Sequence, residues 1–106
     1  MNIQLGDLAA AEGFLSALIE YCPDYAEGHN QRAFARYLAG DFEGALADLV
    51  RTLSIQPRHL GALSGKGLTH LALGQPELAE IEFRKEMALN PFTADRDLIP
   101  NLGTDL

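Results

Sequence analysis

The stretch Ala26–His59, reading AEGHNQRAFARYLAGDFEGALADLVRTLSIQPRH, decides the fold. It holds two helix-length segments, hinged at Gly40-Asp41 and closed by Pro57. The same punctuation returns 34 residues to either side. Gly6, Gly40 and Gly74 share a column, as do Ala11, Ala45 and Ala79, and Pro23, Pro57 and Pro91. Looser columns run through Leu15/Leu49/Phe83, Ile19/Leu53/Met87 and Tyr21/Ile55/Leu89. Independent columns agreeing on one period mark a chain built by repetition, each unit burying its apolar face against the next.

Within the period, spacing assigns the elements. Leu8, Ala11, Leu15, Leu18, Ile19 and Cys22 follow the three-four rhythm of one buried helical face, broken at Pro23. Phe42, Ala45, Leu46, Leu49, Val50 and Leu53 repeat that rhythm up to Pro57, which denies its predecessor the helical region. Between them a helix runs from about residue 26 to Gly40, and its counterpart runs from about His59 to Gly74. Pro76 then opens a further helix from its first turn, where proline is tolerated. Gly6 is expected to end a helix in a left-handed stop, with Asp7 capping the next from about Leu8. The expectation is an all-α chain of about five helices, neighbours antiparallel because their connections are short. Partial repeat 1–25 and full repeats 26–59 and 60–93 make up the helical part, the residues to Pro91 forming the repeat domain proper. A tail over 92–106 follows, in which Thr93 caps a short segment at Ala94–Ile99. Leu98, Ile99 and Leu102 offer only a weak cap over Leu78 and Ile81.

Composition narrows the function. The 106 residues are 47% hydrophobic, which suffices for one packed core. A net charge of −7 argues against a nucleic-acid backbone or an anionic membrane as partner. Cys22 is alone and forms no internal disulfide. No apolar run reaches the roughly 20 residues of a bilayer span, and the N-terminal stretch lacks the basic region of a signal peptide. A soluble, cytoplasmic protein is the expectation.

Catalytic and metal chemistry find no foothold. Gly61-Ala-Leu-Ser-Gly65-Lys66-Gly67 resembles a phosphate loop, but it is one residue short and has Gly where Ser or Thr must hold magnesium. His29, His59 and His70 share no metal-ligand spacing, and His29 and His70 fall on faces that pack within a helix pair. No nucleophile elbow, His-Glu-x-x-His or Cys-x-x-Cys occurs. No enzyme activity, metal or cofactor is expected.

Ala45-x3-Leu49 with Pro57, Ala79-x3-Phe83 with Pro91, and Ala11-x3-Leu15 with Pro23 resemble the Ala-x3-Phe…Pro signature of tetratricopeptide repeats. The other half of that signature, Trp-x2-Leu-Gly-x2-Tyr, reads His29-x2-Arg32-Ala33-x2-Arg36 and Leu63-x2-Lys66-Gly67-x2-His70. Only its small residue survives. Arg32 and Lys66 are equivalent, as are Asp48 and Glu82 on the partner helices, which predicts the ion pairs Arg32–Asp48 and Lys66–Glu82.

The resemblance implies a right-handed superhelix of antiparallel helix pairs that binds extended peptides along the first helices of its repeats. Carried onto this chain, that face holds Glu27, Asn30, Gln31, Phe34 and Tyr37, then Ser64, Leu68 and Leu71. Lys and Arg are absent from it, so it lacks the clamp with which similar proteins hold the acidic tails of heat-shock chaperones. The expected function is a protein- or peptide-binding scaffold. The alternative is self-association, or membership of a larger protein, because Leu8, Leu15, Leu18 and Ile19 have no hairpin partner on their N-terminal side. Covering such side chains contributes about 1.5–3 kcal/mol each.

Overall fold

The computed structural model describes residues 5–99. Five helices follow in order: α1 Leu5–Tyr21, α2 Ala26–Leu38, α3 Phe42–Ile55, α4 Leu60–Ala72 and α5 Pro76–Leu89. A single 3₁₀ turn over Ala94–Leu98 comes last. No strand occurs among the described residues.

The hinges work as glycine predicts. Gly40 and Gly74 have φ of 86° and 73°, a region open to a residue without Cβ. The amide after each glycine reaches back to close the helix, Asp41 to the Arg36 carbonyl and Gln75 to the His70 carbonyl, both at 2.8 Å. Asp41 then turns and caps α3 by accepting from the Gly44 amide at 3.0 Å.

Gly6 does not do this. It lies inside the first turn of α1, without a positive φ, and Asp7 is a first-turn acid rather than the cap. Gly6 instead continues the helix, and no left-handed turn is formed there.

Each helix pair is held twice, once by small-on-large packing and once by charge. Ala33, Ala45, Leu49 and Ala62 form one buried cluster, and Ala79, Phe83 and Ile99 form another. The predicted ion pairs are present and buried on the acidic side. Asp48 accepts from Arg32 Nε at 2.9 Å and Nη2 at 2.7 Å, and from Arg36 Nη1 at 3.0 Å. Lys66 stands 3.2 Å from Glu82. Arg36 also donates to Glu12 at 2.8 Å, and Arg32 to the Ser16 hydroxyl at 3.2 Å, so the same network fastens α1 to α2. Arg32 and Arg36 stand at the apolar Leu and Tyr positions of the repeat signature. Charge has replaced part of the usual interface.

The C-terminal turn is a better cap than its sequence suggests. It begins at Ala94, 34 residues after α4 begins at Leu60 and 68 after α2 begins at Ala26. It is the opening of another repeat. Ile99 is buried against Ala79 and Phe83, whereas Leu78, Ile81 and Leu98 stay exposed; Leu102 lies outside the described residues. Thr93 caps the turn through the Asp95 amide and also donates to Glu86 at 2.7 Å.

The face of α1 expected to be open is largely covered. Leu8 is buried, Leu15, Leu18 and Ile19 are half-buried, and the last two border Gly28 of α2. Seventeen residues wind α1 far enough for those side chains to meet α2 within the monomer. What stays open is the opposite strip with Phe14 and Tyr21, which are 71% and 87% exposed.

Candidate binding groove

Helices α2 and α4 lie side by side as the first helices of successive repeats, and a cavity of about 330 Å³ opens between them. Asn30, Gln31, Phe34 and Tyr37 line it from α2; Gly61, Gly65, Leu68 and Thr69 line it from α4. Leu49 of α3 and Ala33 complete the lining. Two glycines one turn apart keep side chains off the α4 wall. Phe34 lines the cavity yet is 60% exposed, so its ring is available to a ligand. Tyr37 is half-buried and meets Phe42 edge-on, with ring centroids 5.3 Å apart, which fixes its rotamer.

Five of the eight face residues read from the sequence therefore come together here: Asn30, Gln31, Phe34, Tyr37 and Leu68. The other three do not line the cavity. Ser64 donates to the Asp95 carboxylate of the C-terminal turn. Leu71 lies one turn beyond Leu68, away from the lining. Glu27 works beside the groove. Its Oε1 accepts from Asn30 at 3.1 Å and Gln31 at 2.7 Å, and its Oε2 from His59 at 2.8 Å.

His59 was not among the face residues, although its place just before a helix was the available signal. Its Nδ1 accepts the Ala62 amide at 3.0 Å and so caps α4. With Nδ1 accepting, Nε2–H is the donor to Glu27. Burial alone pushes the Glu27 carboxyl up; hydrogen bonds from His59, Gln31 and Asn30 outweigh it and hold it below its ordinary value.

His29 and His70 are buried and structural. His29 Nε2 bonds the Pro23 carbonyl at 2.8 Å, and His70 Nδ1 bonds Gln75 Oε1 at 2.8 Å. Among the described residues, no three His, Cys, Asp or Glu side chains converge as a metal site would need. Among them, too, no helix is long and apolar enough to cross a membrane.

Chains of similar sequence are found among known proteins. The chain is 36% identical over 87 residues to a TPR repeat-containing protein of Rhizobium etli, covering 82% of this chain and 42% of that one. It is 34% identical over 100 residues to tetratricopeptide repeat protein 36 of Bos taurus, covering 91% and 53%. The chain belongs to the tetratricopeptide-repeat family.

No family model matches this tetratricopeptide-repeat chain, in keeping with the charged substitutions at Arg32, Arg36 and Lys66 in the signature helix. Its fold superposes with a TM-score of 0.83 on the first TPR of Spaghetti (RPAP3) bound to HSP90 peptide SRMEEVD. That match is 19% identical and covers 88% of this chain and 78% of the other. The chain spans about half the length of the curated relatives it matches.

Proposed function

We propose that the chain is a non-enzymatic scaffold that holds a short extended peptide in the groove between α2 and α4. The observation that carries this is Phe34: an aromatic ring 60% exposed on the wall of a 330 Å³ cavity. Exposed aromatics beside a recess are the anchors that dominate protein interfaces. The free carbonyl oxygens of Asn30 and Gln31 supply acceptors for a peptide backbone. That a domain of the same fold binds a peptide supports the class of ligand. Pull-down from lysate with wild type and Phe34→Ala, followed by circular dichroism, tests the proposal. Loss of a specific partner with unchanged helicity is the expected result; retention of every partner would end it.

A second reading, self-association through α1, is favoured by the 71% exposure of Phe14. On this reading the contact uses the strip of Phe14 and Tyr21 instead of Leu8, Leu15, Leu18 and Ile19.

A further inference from the structure

The groove has a sign. None of its lining residues is basic, and the donor groups of Asn30 and Gln31 are directed at Glu27. His59 caps α4 through Nδ1 and donates to Glu27 through Nε2, helping to keep the Glu27 carboxyl ionised. Glu27 is still 38% exposed at its side chain.

The repeat places a second carboxylate in the same row. The first helices begin at Ala26 and Leu60 and the C-terminal turn at Ala94, so Glu27, Gly61 and Asp95 are each the second residue of their element. Gly61, the middle member, lines the groove and bears no side chain. The space over it is taken by His59 and Asn30, whose Cε1 and Nδ2 would lie 3.2 and 3.8 Å from a Cβ there.

We infer that the groove selects cationic peptides, seating an apolar side chain against Phe34 and Leu68 and a Lys or Arg beside Glu27 at its edge. This rests on the groove being the binding site. It sets the chain apart from the acidic-peptide complex of its structural neighbour, since an acidic ligand meets the Glu27 carboxylate here and no basic residue in the lining. Repulsion excludes the wrong ligand as firmly as attraction recruits the right one.

The test is selection from a random displayed 12-residue peptide library on wild type and on Phe34→Ala, with sequencing of the enriched peptides. The expected result is enrichment that requires Phe34, in peptides with Lys or Arg near an apolar residue. For the most enriched peptide, Glu27→Gln then weakens binding about fivefold, the size of one partly exposed charge contact. Replacing the peptide's Lys by Gln erases that difference. Wild-type affinity for the cationic peptide also falls as salt rises, a measurement that needs no variant. Enrichment of neutral or acidic peptides that still requires Phe34 overturns the charge inference and leaves the groove standing. So does salt-independent binding. Enrichment with no dependence on Phe34 overturns both.

Discussion

Gly67 and Phe83 compete for one space: a methyl group on Gly67 would sit 2.7 Å from both Cδ1 and Cζ of the Phe83 ring. One repeat earlier the equivalent pair is Ala33 and Leu49, a larger residue on the first helix and a smaller one on the second. The two pairs fill the same gap with opposite shares. Gly67→Ala is thus expected to destabilise the protein by about 1–3 kcal/mol through overpacking, despite a helix-propensity gain of about 1 kcal/mol. The double change Gly67→Ala with Phe83→Leu copies the earlier repeat and should recover most of the loss. Urea unfolding of the two single variants and the double measures this directly, and additive losses would show that the pairs are not equivalent.

This compensation explains what a reader of the sequence can and cannot see. Columns at a 34-residue spacing reveal helices, hinges and even the Arg32–Asp48 and Lys66–Glu82 pairs, because period fixes which residues face each other. Five of the eight residues that the family resemblance places on the binding face line the cavity. Interactions that cross between repeats escape the period. His59 caps one helix while bonding Glu27 of another, and Asp95 reaches Ser64 across a helix pair. Composition also misleads at the ends. The glycine at position 6 looks like Gly40 but lies within α1 without a left-handed turn, and the tail looks too broken to pack although Ile99 is buried.

The two buried acids of the helix pairs should not be equally important. Asp48 is met by two arginines with three hydrogen bonds, so removing its charge in Asp48→Asn strands the Arg32 guanidinium, only about one-fifth exposed, and leaves Arg36 with Glu12 alone. A loss of about 3 kcal/mol is expected for breaking such a pair from one side. Glu82 has one buried oxygen with no partner, and its two cations, Lys66 at 3.2 Å and Lys85 at 3.6 Å, sit on flexible stems. Glu82→Gln should cost about 1 kcal/mol or less, because both lysines can swing to water. Equal losses in chemical denaturation would contradict the asymmetry.

Acidity should act on the C-terminal cap through Glu86. Burial pushes this carboxyl above its ordinary value, and the neighbouring Asp95 adds to the rise against an opposing hydrogen bond from Thr93. The folded protein therefore holds the Glu86 proton more tightly than the unfolded chain does. Ionising it costs stability in full at neutral pH, and the cost disappears as pH falls through the raised value toward that of an ordinary glutamate. Glu86→Gln should raise the melting temperature at pH 7, and its advantage over wild type should shrink on acidification to pH 5. Glu27 has the opposite sign: its depressed value adds stability above the ordinary glutamate range and loses it as pH falls through the depressed value. A Glu86→Gln advantage that grows on acidification would rule out this assignment.

Phe14 occupies the repeat position of Asp48 and Glu82, each 34 residues further on. Those two acids are 3% and 4% exposed because a first helix covers them, while Phe14 is 71% exposed. Among the described residues, nothing stands within 4 Å of where a Cβ would be on Gly13 beside it or on Gly6 two turns back. If a second copy supplies a helix over this strip, wild type should show a mass in light scattering that rises with concentration toward the dimer. Phe14→Glu should hold it at the monomer mass. Because the ring touches little within the monomer, the same substitution should change unfolding free energy by no more than about 0.5 kcal/mol. Leu18→Glu, on the half-buried face against α2, should instead lower stability by about 2 kcal/mol or more, the cost of placing a charge among packed side chains. A wild-type protein that stays monomeric at high concentration removes self-association and leaves the strip for a helix from some other source.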